Sequence, residues 1–140
     1  MALAALSPIV ASVGGNAGNQ TMAVTVRALA TNQLTDSNTR RTIWRELRVA
    51  LLNGFTLALL MGLGVSLVFG NVTLGLVIAV AMQFNIFIAG LAGVMVPLTL
   101  DRLEADPAVA SSVFVTMITD SMGFFAFLGL ATLVGVQYLR

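Results

Sequence analysis

Three stretches of this chain are long enough to cross a bilayer and almost free of charge. Val49 to Phe69 and Asn71 to Leu100 carry none, and Pro107 to Leu139 carries a single acid, Asp120. A helix spans the hydrocarbon core with about 20 apolar residues. Backbone polar groups in lipid must bond within their own element, so such stretches become helices. A fourth stretch, Met1 to about Val26, is also uncharged, but Pro8 and the run GGNAGNQ interrupt it. The expected fold is therefore all-α: an integral membrane helical bundle of about four transmembrane helices, the first incomplete or irregular, forming one domain over residues 1–140. Composition agrees. The chain is 58% hydrophobic and 9% charged, against roughly 25% charged in a soluble domain.

Cys and His are both absent. Disulfides, thiolate zinc sites and imidazole acid–base chemistry are excluded together. Any metal must be held by oxygen ligands, which suit magnesium, calcium or manganese. No nucleophile–base pair is visible, because neighbours such as Asp120 and Ser121 do not face each other on a helix. The chain is not expected to be an enzyme. The start, MALAALSPIVAS, has no basic n-region and reads as a hydrophobic helix lacking its first part rather than a signal peptide.

All seven basic residues are arginines. Arg27, Arg40, Arg41, Arg45 and Arg48 cluster around the first connection, Arg102 marks the third, and the turn FGNVT has no charge. The positive-inside rule then puts the first and third connections in the cytoplasm, and the second connection and the C-terminus outside a cell (inner) membrane. Trp44 and Tyr138 sit where interfacial aromatics belong. In TIWRELRVALL, Ile43, Leu47, Ala50 and Leu51 fall at helical spacing, with arginines largely on another face. This segment is expected to lie partly among lipid headgroups.

Asp120 is the most informative residue. An acid at the bilayer centre costs about 2.5–3.5 kcal/mol on insertion scales, so it persists where protein or water receives it and where protons or cations are handled. Ser112, Thr116 and Asp120 stand at i, i+4 and i+8, a polar stripe fit to line a water-accessible path. Asp120 lies roughly 20 Å along its helix from Pro107, near mid-membrane. GGNAGNQT would be a poor helix interior. As irregular backbone beside an aqueous cavity it would offer carbonyls and the amides of Asn16, Asn19 and Gln20 to a hydrated cation. Asn53 reads as an interhelical hydrogen-bonding residue. Asn85 is open between packing and pore lining, and Pro97 is expected to break or end its helix. The recurring glycines read as helix-packing positions.

Several long, ordered motifs carry a resemblance. They are GGNAGNQ after a proline-containing apolar run, RELRVALLNG, and the pattern from Asn85 through AGLAGVMVPL to DPAVASSVFVTMITDSMGFFAFLGLA. From about Pro8 to Ala131 the chain resembles the membrane domain of the MgtE family of magnesium transporters and channels. The resemblance implies a homodimer with five membrane helices per subunit. It also implies cytoplasmic N and CBS regulatory domains and a first helix, all lacking from this chain. By the same resemblance Asp120 is the central ion-binding residue for Mg2+. Backbone carbonyls at Thr116 and Ser112 help hold the hydrated ion, and Gly15 and Asn19 border the same pore. Expected partners are magnesium or related divalent cations, the lipid membrane and a second copy, with no nucleic acid. A small dimeric proton-coupled cation or multidrug exporter, with Asp120 serving proton and drug alike, is the competing reading. A subunit that assembles without transporting is a third.

Overall fold

The computed structural model describes residues 2–35 and 37–135. Among them the elements run α1 (Ala2–Ala30), α2 (Thr39–Phe69), α3 (Val72–Arg102) and α4 (Pro107–Leu133), with no strand. The all-α bundle is as expected. Three helices, α2, α3 and α4, are long and apolar enough to cross a membrane. The polar residues of α1, concentrated in GGNAGNQ, set it apart from those three.

Two expectations about helix breaks are corrected. The first segment is one continuous helix that runs through both Pro8 and GGNAGNQ. Pro97 likewise lies inside α3, which continues to Arg102. Membrane helices tolerate proline and glycine because neighbouring helices and hydroxyl side chains re-satisfy the freed backbone groups. A continuous α1 keeps its carbonyls in its own hydrogen-bond ladder, so GGNAGNQ offers side chains and close approach rather than a bare backbone loop. The last helix ends at Leu133; Tyr138, Arg140 and the placement of the C-terminus lie outside the described residues, as does Asp36.

Local chemistry fixes the turns. Gly70 adopts a left-handed conformation (φ 59°) after α2, and the side chain of Asn71 accepts the Leu74 amide at 3.0 Å to cap α3. Asp106 caps α4 through the Ala108 amide at 2.9 Å, with Pro107 opening the helix. This is the asymmetry expected of helix starts and stops.

Small residues set the packing. A Cβ on Gly14 would fall on the Asn85 amide, one on Gly18 would lie 3.5 Å from Ala89, and one on Gly93 would lie 2.7 Å from the Gly18 carbonyl oxygen. These pairings rise together along both chains, so α1 and α3 run parallel. Against α4 the order reverses: Ala11 meets Gly123, and Gly18 meets Val115. Helix α3 is the centre of the bundle. Both α1 and α4 pack on it and on each other, whereas α2 is held chiefly by α3. The main apolar core gathers Leu6, Val10, Ile78, Ala81, Phe127 and Ala131.

Candidate functional site

Helix α4 presents two adjacent stripes. Ser111, Val115, Thr119 and Gly123 are buried in the bundle. One residue further on, Ser112 is exposed and Thr116 and Asp120 are half-buried. A step of one residue turns a helix by about 100°, so the second stripe sits at the margin of the α1–α4 contact. Sequence spacing grouped Ser112, Thr116 and Asp120 on one face, and they share that margin.

Gly15 brings α1 against this margin. A Cβ there would stand 3.6 Å from Thr119 Oγ1 and 3.9 Å from Asp120 Oδ1. The glycine therefore lets the α1 backbone approach the carboxylate closely. Among the described residues Asp120 has no hydrogen bond and no salt bridge; the one ion pair there joins Arg45 to Glu46 at 3.0 Å. Thr119 Oγ1 donates to the Val115 carbonyl at 3.0 Å and to the Thr116 carbonyl at 3.1 Å. That hydroxyl fills part of the Thr116 carbonyl's accepting capacity and leaves the carboxylate next to it unbound.

The four positions of GGNAGNQ expected to border the ion path, Gly15, Asn16, Asn19 and Gln20, divide. Gly15 is buried beside Asp120, and Asn19, one turn on, is half-buried. The Asn19 Oδ1 is shielded and without a partner among the described residues. Asn16 is exposed. Gln20 points elsewhere, into a cleft of ≈ 190 Å³ between α1, α2 and α3 that also takes Glu46 and Asn53. Asn53, itself exposed, thus lines this mixed cleft and makes no hydrogen bond to another helix among the described residues.

Two features escaped the sequence. Asn85 is fully buried, and its Nδ2 donates to the Val10 carbonyl at 2.9 Å. Its Oδ1 has no partner among the described residues. Glycines of two helices, Gly14 and Gly123, make room for this amide. Coincident glycines at one level were the available signal. The second is Glu46, whose side chain is only 11% exposed although it follows a cluster of arginines.

Among the described residues no three acidic, His or Cys side chains come together. A cation at this face would meet one carboxylate per chain, with hydroxyls, amides and water completing its shell. That suits a hydrated hard ion, since magnesium gives up water reluctantly and binds through one or two carboxylates.

Comparison with known proteins bears on this arrangement. A family model, MgtE, described as a divalent cation transporter, matches residues 7–130. The chain is 38% identical over 133 residues to the magnesium transporter MgtE of Thermus thermophilus, covering 95% of this chain and 29% of that protein. It is 37% identical over 131 residues to the Enterococcus faecalis protein of the same name, covering 94% and 29%. For the Bacillus subtilis protein the figure is 32% over 133 residues, again covering 94% and 29%. The chain thus spans under a third of the length of these relatives. Its apolar helices, its oxygen-only ligand chemistry and this match over nearly all of its length lead to one conclusion: the chain belongs to the MgtE family of divalent cation transporters.

Proposed function

We propose that this chain forms the ion path of a magnesium transporter, with Asp120 as the residue that holds the passing ion. The observation that carries the reading is an unpaired, half-buried carboxylate in the middle of an apolar helix, approached by a bare stretch of helix backbone at Gly15. Two copies would bring two such carboxylates to a shared axis, giving a homodimeric pore in the cell (inner) membrane. Thr116 and Ser112 extend the polar stripe from Asp120 toward Pro107. Gly15 and Asn19 form the facing wall, with Asn16 and Gln20 further round α1. Regulatory domains would belong to parts of the protein beyond this chain.

The ion keeps most of its water. Contacts from carboxylates, carbonyls and hydroxyls to those waters replace the bulk shell, and the two negative charges offset the cost of bringing a divalent ion to mid-membrane. An inside-negative potential drives inward flux, supplying roughly 2.3 kcal/mol per charge per 100 mV.

The test is Mg2+ uptake into liposomes by the full-length protein. Asp120→Asn keeps the shape and removes the charge. Uptake is expected to fall at least about tenfold, equivalent to ~1.4 kcal/mol of lost ion stabilisation, with the fold retained by circular dichroism. Wild-type uptake by that variant would remove Asp120 from the path. Transport that requires an imposed proton gradient would favour the exporter reading instead.

A further inference from the structure

We propose that the outer face of α2 binds an anionic phospholipid, with the phosphodiester among Arg41, Arg45 and Arg48 and an acyl chain along Leu52 and Leu59. This inference is independent of the ion path. Residues 41, 45, 48, 52 and 59 step by three, four or seven, so they lie in one stripe along the helix. The buried positions of α2, Ala50, Gly54, Ala58, Gly62 and Val65, occupy a different face. Leu52 is 71% exposed, and Leu59, 50% exposed, lines an apolar groove that α2 forms with Val80 and Phe84 of α3.

The upper part of the stripe is a cleft of ≈ 660 Å³ whose lining includes Arg41, Arg45, Arg48, Asn38, Thr42 and Leu52. Its charge is one-sided. Between Thr39 and Arg48 there are four arginines, Arg40, Arg41, Arg45 and Arg48, against one acid, Glu46, a balance of +3. Arg45 spends Nε and one Nη on Glu46, and Arg48 directs Nε to the Trp44 carbonyl. Guanidinium donors remain on both, and on Arg41. Asn38 makes no side-chain cap, so the positive end of the helix dipole is left open at the same end.

The guanidinium fork matches phosphate geometry. A soluble anion would use only this basic part. The stripe continues directly into exposed leucines within a membrane-spanning helix, and a molecule with a phosphate head and an apolar tail fits both parts at once. The exposed indole of Trp44 stands at the same level, where headgroups meet acyl chains. Basic residues at a cytoplasmic interface attract anionic lipid, and α2 supplies the matching shape below them.

The test is native mass spectrometry of the full-length protein mixed with equal amounts of phosphatidylglycerol and phosphatidylcholine. Phosphatidylglycerol adducts are expected to exceed phosphatidylcholine adducts by roughly tenfold, and to fall to parity in Arg41→Gln/Arg45→Gln/Arg48→Gln. If that variant does not fold, Arg45→Gln and Leu52→Asn are measured singly: Arg45→Gln is expected to lower the preference, and Leu52→Asn to lower the amount of phosphatidylglycerol retained. Glycerol 3-phosphate alone should fail to displace the lipid. Equal retention of the two lipids by the wild type, an unchanged preference in the arginine variants, unchanged retention in Leu52→Asn, or displacement by glycerol 3-phosphate would each overturn the proposal. So would protection of α2 from lipid by another part of the protein.

Discussion

Asn85 shows how much one side chain can decide inside this bundle. Its amide is the described side-chain link from α3 to α1, made at the level where Gly14 and Gly123 open space for it. Hydrogen bonds between membrane helices contribute about 0.6 kcal/mol on average and up to ~1.7, and an Ala here would add the cost of a cavity. Asn85→Ala is therefore expected to lower stability by roughly 1–2 kcal/mol, read as a clear fall in the unfolding midpoint in detergent. An unchanged midpoint would mean that the amide carries nothing. Sequence could single out Asp120, because a lone charge in a long apolar run has few bland explanations. Asn85 stayed ambiguous there: an amide in a membrane helix looks the same whether it faces a pore, lipid or a neighbour. Gln20 illustrates the same limit, since one turn of helix separates it from Asn16 and a different cleft receives it.

At the scale of elements, glycines differ by what stands opposite them. A Cβ at Gly93 would come within 2.7 Å of a backbone oxygen, Gly18 O, and backbone cannot rotate away. Gly93→Ala must push α1 off α3, at a cost of roughly 1–3 kcal/mol. Gly64 has nothing within 4 Å of its would-be Cβ. Gly64→Ala is expected to be neutral or to gain up to ~1 kcal/mol from helix propensity. Matched thermal melts of the two variants check this, and equal destabilisation would contradict the packing described. The positions of the helices were legible because charge marks their ends. Their continuity was not, since Pro8, Pro97 and GGNAGNQ break helices in water but are accommodated where neighbours and lipid leave the chain no better option. Similarly, α2 begins at Thr39, well before its apolar stretch, because helical spacing in TIWRELRVALL continues without interruption into the span.

For the whole molecule, the proposed ion path sets the polar margin of α4 against a second copy. Ser112 is exposed and Asp120 is half-buried on a helix otherwise built for lipid, and two-fold symmetry would set two such margins face to face. Ser112→Cys in the full-length protein is expected to form disulfide-linked dimers in membranes under mild oxidation, and Gly64→Cys is not. Monomers from both would place the margin away from the symmetry axis. Membership of the bundle, the span count and the charge asymmetry of the loops were readable from the chain. The pairing of α1 with α4 was not, because it depends on which small residues meet, and spacing alone leaves many glycine pairings open.

The seam between α1 and its neighbours has a mechanical consequence. Each glycine along it is a notch occupied by a side chain of the facing helix: Asn85 stands over Gly14 and Gly123, Val115 over Gly18 and Thr21 over Gly93, so axial gliding of α1 would require these contacts to clear one another. The Asn85 amide adds a hydrogen-bonded detent at the register in which Gly15 stands beside Asp120. With it removed, fewer contacts fix the register of α1 in the bundle, and spin-label distances between α1 and α4 should broaden in the Asn85→Ala protein.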